Sequence, residues 1–227
     1  MLFADDIVLV AESRREVNVK LELWRSKLKS QGMRVGRSKT EYLLCNFSGE
    51  TNEEGVEVMI SDQLVPHTDK FKYLGSIIQK EGEFEDDVTH HIKAGWLRWR
   101  AATGVLCDKK VPLKLKGKFY RLAIRPAMLY GSECWAMKKS LESKLEAAEM
   151  SMLRWSCGRT LLDKIPNGVF RIVLEVASIS AKVREWRLRW FGHVRRRQAS
   201  APVRRVEVCW LKGVGGEADR GGRGRSS

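Results

Sequence analysis

Met1-Leu2-Phe3-Ala4-Asp5-Asp6-Ile7-Val8-Leu9-Val10-Ala11 reads as a β-type apolar run broken only by two adjacent acids. Ile, Val and Leu favour buried strands, and Asp tolerates turn conformations, so the run predicts two short strands joined at Asp5-Asp6. A helix is expected next. Ser13-Arg14-Arg15-Glu16 fits a capping box, in which hydroxyl and carboxylate satisfy free N–H groups. Val17, Leu21, Trp24 and Leu28 then recur at helical spacing along one apolar face, and Gly32 supplies the stop. Tyr42 to Phe47, Val56 to Ile60 and Phe71 to Ile78 read as strands, with a polar acidic loop from Ser48 to Gly55. Residues 1–80 are thus mixed, and the fold class is α+β.

Beyond Glu81 the pattern turns helical. Glu85, Asp86 and Asp87 sit where a helix N-terminus favours anions, and Ile92, Trp96, Trp99, Thr103 and Leu106 line one face behind them. Pro112 is placed to open another helix carrying Leu115, Phe119 and Leu122, which Pro126 should end or kink. Leu141, Leu145, Ala148, Met152 and Trp155 form a third stripe, begun by Ser140 and closed by Gly158. Val183, Trp186, Trp190 and Val194 form a fourth. Three segments follow: 1–80 mixed, 81–210 basic and helical, and 211–227 a Gly/Arg tail expected to be disordered.

The chain has 227 residues with 43% hydrophobic side chains, enough for a sizeable core and against global disorder. No apolar run approaches the ~18–20 residues of a membrane span, and two acids stand where a signal peptide would be basic and then apolar. An intracellular protein without a membrane partner is expected. The net charge of +14 is uneven: residues 1–88 carry 12 basic and 17 acidic side chains, whereas residues 89–210 carry 26 basic and 9 acidic, a balance of +17. Such a body attracts a polyanion. Five cysteines, at 45, 107, 134, 157 and 209, have no zinc-site spacing and predict reduced, mostly buried thiols.

A carboxylate pair on a tight hairpin suits Mg²⁺ near a phosphate, although Asp-Asp alone is an ordinary turn dipeptide. Apolar sequence on both sides favours more than a solvated turn. Phe3-Ala4-Asp5-Asp6 resembles the Y/F-x-D-D box of reverse transcriptases. The segment Gly32-Met33-Arg34-Val35-Gly36-Arg37-Ser38-Lys39-Thr40-Glu41 is similar to the glycine-to-lysine segment after the palm helix, in the non-LTR, LINE-type branch of that family. Phe71-Lys72-Tyr73-Leu74-Gly75-Ser76 resembles the primer-grip hairpin. Gly95-Trp96-Leu97-Arg98-Trp99-Arg100, Leu129-Tyr130-Gly131-Ser132-Glu133-Cys134-Trp135 and Arg189-Trp190-Phe191-Gly192-His193-Val194 look like the thumb and post-thumb region of plant elements of this kind. The resemblance runs in order from residue 3 to about residue 197.

This resemblance implies an RNA-directed DNA polymerase, a nucleotidyltransferase using two Mg²⁺ ions, with RNA and DNA as partners and no small-molecule cofactor. Asp5 would be the metal ligand and Asp6 its support. Lys39 would sit near the triphosphate, and Phe71, Tyr73, Leu74 and Gly75 would hold the primer end. The family also needs a third carboxylate and fingers from upstream of the acidic pair. The chain therefore reads as the end of the palm followed by thumb and post-thumb, inactive on its own, with uncovered edges and apolar surface around the partial palm.

The basic body is a second constellation. Lys109, Lys110, Lys114, Lys116, Lys118, Arg121 and Arg125 crowd one region, and Arg184, Arg187, Arg189, Arg195, Arg196 and Arg197 another. They suit phosphates, and aromatics suit unpaired bases. Trp96, Trp99, Trp155, Trp186 and Trp190 fall on apolar stripes and are expected in the core. His90-His91 and His193 have no partner ligands at metal spacing and read as structural or surface residues. Arg195-Arg196-Arg197 and the family suggest the nucleus. A non-catalytic nucleic-acid-binding module and a non-functional relic of a mobile element are the rival readings.

Overall fold

The computed structural model describes residues 2–3, 6–45, 55–201 and 203–204. It is α+β, with two compact units, 1–90 and 91–227. The expected loop at 48–55 lies almost wholly outside the described residues, and the Gly/Arg tail entirely so.

The first unit opens with a hairpin of β1 (Leu2–Phe3) and β2 (Asp6–Ile7), antiparallel, with Phe3 opposite Asp6. Helix α1 (Arg14–Ser30) begins where the cap residue predicts: the Ser13 hydroxyl accepts from the Glu16 N–H at 3.2 Å. The reciprocal half of the box is shifted by one residue, since the Glu16 carboxylate accepts from the Glu12 N–H rather than from that of Ser13. Gly32 ends the helix at φ 76°, with the N–H of Gly32 bonded to Lys29 and that of Met33 to Leu28, a Schellman close.

The strands that follow are shorter than expected. Tyr42 makes a single parallel bridge to His67, and Phe47 lies outside the described residues. Only Met59–Ile60 of the second expected strand pairs, as β3, with an unforeseen β4 (Gln63–Leu64) across a turn with positive φ at Ser61 and Asp62. A small core of Val58, Ile60 and Val65 is covered by Val17, Leu21, Val35 and Tyr42. The Asn18 amide fastens α1 to it, donating to the Glu57 carbonyl at 2.8 Å and accepting from the Met59 N–H at 3.0 Å. No residue of α1 is fully buried.

Strands β5 (Lys70–Tyr73) and β6 (Ser76–Gln79) form the expected hairpin, turning at Leu74 and Gly75, both with positive φ. Glycine meets that demand freely, and Leu74 carries strain there. Helix α2 (Glu85–Ala101) starts against this hairpin: the buried Asp87 carboxylate accepts from the Ile77 N–H at 2.8 Å, and Lys70 pairs with Asp86. The acids expected to serve the helix dipole also bind a strand. The division between the units falls inside α2, at His90 and His91.

The second unit is helical. The face of α2 that it buries is His91, Gly95 and Trp99, with Ile92 and Trp96 half-covered, and the helix breaks at Ala102 before the short α3 (Thr103–Leu106). Helix α4 (Leu113–Phe119), capped by Pro112, runs through a π-helical segment, Tyr120–Ile124, into α5 (Arg125–Met128). The wide turn precedes Pro126 and lets the helical path continue past it, as a π-bulge relieves the crowding a proline creates. Helix α6 (Lys139–Ser156) is preceded by Lys138 without a side-chain cap, so Ser140 lies inside it, and Gly158 at φ 67° closes it as expected. Helices α7 (Asn167–Leu174) and α8 (Ile179–Arg195) pack on α6, and α7 also on α4. Two glycines set close approaches. A Cβ on Gly117 would lie 1.8 Å from the Leu174 carbonyl oxygen, and one on Gly95 would lie 2.3 Å from Met128 Cγ.

The expected apolar stripe of α4 is overturned. Leu115, Phe119 and Leu122 are exposed, and Lys116, Gly117, Tyr120 and Ile124 face the core. The core contains a polar centre. Glu149, fully buried, accepts from the Tyr120 hydroxyl and the Ile179 N–H, each at 3.0 Å, with the Arg171 guanidinium 3.5 Å away. Burial raises the Glu149 carboxyl above its ordinary range, against the pull of Arg125, and pushes the Tyr120 phenol well up. The buried Arg154 holds the following loop through the carbonyls of Thr160 and Ile165 and the side chain of Asn167. The four described cysteines are free thiols, and Cys45, Cys107 and Cys134 are exposed rather than buried.

Candidate nucleic-acid interface

Of the residues expected to hold metal, Asp5 lies outside the described residues, and Asp6 opens β2 as an exposed side chain. Lys39 ends a 3-10 turn, Arg37–Lys39, also exposed. Among the described residues no three His, Cys, Asp or Glu side chains gather where they could hold a metal ion. The described residues therefore do not fit a complete Mg²⁺ site. His91 is buried beside Tyr130 and Trp135, with Nδ1 3.2 Å from the Ala127 carbonyl oxygen, a structural position. On the primer-grip-like hairpin, Phe71 and Tyr73 project from the same face of β5 with stacked rings 6.5 Å apart, and Leu74 and Gly75 form the turn.

Eleven of the thirteen basic residues divide into three groups, and Arg195 and Arg197 lie against aromatic rings of α8. Lys116 and Arg125, each 4% exposed, leave the phosphate-binding set: Lys116 Nζ donates to the Ser156 carbonyl at 2.9 Å, and Arg125 to that of Ala177 at 3.1 Å. Their charge is desolvated and faces the core, where a phosphate has no access. A second group is exposed or half-exposed but paired. Lys114 meets the Glu175 carboxylate at 2.7 Å, Arg121 donates to the Glu175 carbonyl, Arg184 meets Glu142 at 3.3 Å, and Arg189 meets Glu185 at 2.8 Å. Such surface pairs are worth little, so a polyanion can compete for these cations. Lys109, Lys110, Lys118, Arg187 and Arg196 form the third group, exposed and with no side-chain partner among the described residues.

Helix α8 concentrates the second and third groups. Its first turn is capped by Ser178, whose hydroxyl accepts from the Ala181 N–H, and Ile179, Ser180, Val183 and Val194 anchor it. Between Arg187 and His193 the helix is mostly exposed, before Val194 returns to the core. Leu188, Trp190 and Phe191 are exposed, the Arg195 guanidinium lies over the Phe191 ring at 5.9 Å, and Arg197 donates to His193, which stacks on Trp190 at 5.5 Å. Trp190 was expected in the core, and at 39% exposure it is not enclosed there. Trp155 is likewise exposed, at 48%. Each stands exposed between or beside buried members of its stripe, Met152 before Trp155 and Val194 after Trp190. The exposed stretch of α8 thus presents cations and aromatic faces together, the two ingredients that phosphates and unpaired bases engage.

The chain is similar to an uncharacterized transposon-derived protein of Caenorhabditis elegans, 26% identical over 203 residues, covering 86% of this chain and 71% of that one. No protein-family model matches the chain. No solved structure matches it. Among the described residues no helix is long and apolar enough to cross a membrane.

Proposed function

We propose that the chain is the palm-end, thumb and post-thumb region of a non-LTR retrotransposon reverse transcriptase, and that its helical unit binds RNA or DNA. The similarity to a transposon-derived protein supports a mobile-element origin. The ordered boxes and the β5–β6 hairpin support the finer assignment. One observation carries the binding reading: the exposed stretch at the end of α8, where the exposed Arg187, Arg195, Arg196 and Arg197 share a short segment with the exposed Trp190 and Phe191, Arg195 lying over the Phe191 ring. With 26 basic and 9 acidic residues between 89 and 210, and Glu142, Glu149, Asp163, Glu175 and Glu185 already engaged by cations, the field of this unit is positive.

Polymerisation needs carboxylates from more than one element around its Mg²⁺ ions. Of the acidic pair the described residues include Asp6 alone, at the start of β2. The polypeptide by itself is therefore a nucleic-acid binder without polymerase activity, and the nucleus is its proposed residence.

The test is fluorescence anisotropy with short RNA and DNA across salt concentrations, beside a primer-extension assay. Binding should weaken as salt rises, by a log–log slope of roughly −0.7 to −0.9 per phosphate neutralised. Replacing Arg195, Arg196 and Arg197 by Ala should flatten that slope and weaken all sequences about equally. Absence of binding at low salt, or binding indifferent to salt, refutes the reading. Template-dependent extension that disappears in Asp5→Ala refutes the claim of inactivity.

A further inference from the structure

Trp96, Trp99 and Trp155 form a cluster on the helical unit, with ring centroids 5.3–5.7 Å apart and planes inclined at 54–72°. Trp99 is buried and Trp96 half-buried, yet Trp155, in the last turn of α6, leaves 48% of its surface bare. The buried line of α6 runs through Leu141, Leu145, Glu149, Met152 and Ser156, and Trp155 stands on its flank. Its two partners hold one side of the indole in place, so little conformational freedom remains to be lost when something covers the other side. An isolated surface tryptophan would lack that support.

The surroundings select the occupant. Cys107 Sγ lies 4.0 Å from the Trp155 carbonyl oxygen, bringing the end of α3 beside the cluster. Two and three residues further on, Lys109 and Lys110 are exposed without side-chain partners among the described residues, the one acid between them and Cys107 being Asp108, whose carboxylate accepts from the Lys110 N–H at 2.8 Å. A partly bare indole on the same end of the unit as these cations is complementary to a flat aromatic group attached to a phosphate.

We infer that Trp155 is a stacking platform for an unpaired base of single-stranded nucleic acid, with Lys109 and Lys110 neutralising the adjoining phosphates. This rests on the binding reading above and adds a substrate class and a second contact point to it. Duplex bases, already stacked on their neighbours, offer no free face to the indole. The platform therefore selects single strands, and it does so with little sequence preference because every base has a π-face.

The experiment measures anisotropy of the full chain with two labelled single-stranded 12-mers at low salt, oligo-dT and the same backbone with abasic sites throughout. Both carry the same phosphates. Oligo-dT should bind about 5- to 150-fold more tightly, the span that base–aromatic stacking gives per base. Trp155→Ala should narrow that difference by the share Trp155 contributes and leave abasic binding and its salt slope unchanged, whereas Trp155→Phe keeps part of it. Lys109→Ala with Lys110→Ala should weaken both oligomers. Trp155→Phe keeps a ring in place of the indole and reads the same difference if Trp155→Ala folds poorly. Equal wild-type affinity for the two oligomers, or an equal loss for both in Trp155→Ala, overturns the platform while leaving phosphate binding intact. Failure of both oligomers to bind overturns the underlying reading as well.

Discussion

Gly117→Ala is a demanding test of the packing in the helical unit. Alanine is ordinarily favoured over glycine inside a helix by about 1 kcal/mol. Here the added Cβ would sit 1.8 Å from the Leu174 carbonyl oxygen and 2.7 Å from its carbon. The obstacle is backbone, which has no alternative rotamer, so α4 and α7 must separate by more than an ångström around Tyr120, Phe170 and Leu174. Overpacking of this kind costs typically 1–3 kcal/mol and occasionally more. A clash with fixed backbone belongs at the upper end, so the net loss after the helix gain should be about 2 kcal/mol. For a unit of this size that lowers the melting temperature by roughly 6–9 °C. Urea and thermal unfolding followed by far-UV circular dichroism measure it. Gly104→Ala is the control: nothing lies within 4 Å of its Cβ position in α3, so it should be neutral or stabilise by up to about 1 kcal/mol. Gly95→Ala is intermediate, because it meets the flexible Met128 side chain, and in the double variant with Met128→Ala its clash should disappear. A Gly117→Ala protein as stable as the parent would refute the close α4–α7 approach.

The buried Glu149 predicts a pH-dependent stability. Its carboxyl titrates higher in the folded protein than its ordinary 4.5, so its contribution is fully present below that value and is lost as pH rises through the folded-state pKa. Urea midpoints measured from pH 4 upward should show this fall for the parent and less of it for Glu149→Gln; identical profiles would contradict the assignment. Two lysines on one short helix should behave oppositely. Lys116→Ala should cost about 1.5–3 kcal/mol, because the Ser156 carbonyl loses a charged donor inside the core, and Lys118→Ala should leave stability unchanged and weaken nucleic-acid binding. Denaturation paired with anisotropy separates these outcomes, and a binding loss for Lys116→Ala without a stability loss would reverse the burial argument.

The first unit was largely legible in the amino-acid sequence because its signals are local. A serine hydroxyl reaches an N–H three residues on, a glycine adopts positive φ at a helix end, and eight residues from Phe71 to Ile78 contain a complete hairpin with its turn. The charge asymmetry is likewise a property of composition. The candidate interface was only half legible. Basic residues could be counted, but which of them are free depends on partners 40 to 54 positions away, such as Ser156 for Lys116, Ala177 for Arg125 and Glu175 for Arg121. The α4 stripe failed for a related reason. Leu115 and Phe119 already lie on the outer side of α4 beside the buried Lys116 and Gly117, set by what packs against α4, and the π-helical segment that follows keeps Tyr120, Ile124 and Met128 aligned on the buried side. Trp155 and Trp190 face outward although Met152 and Val194 of the same stripes are buried. Periodicity gives a helix an apolar face, but only the neighbouring helices decide how wide a strip of that face is covered, because a packed seam admits the side chains on its axis and leaves those on its flank to solvent.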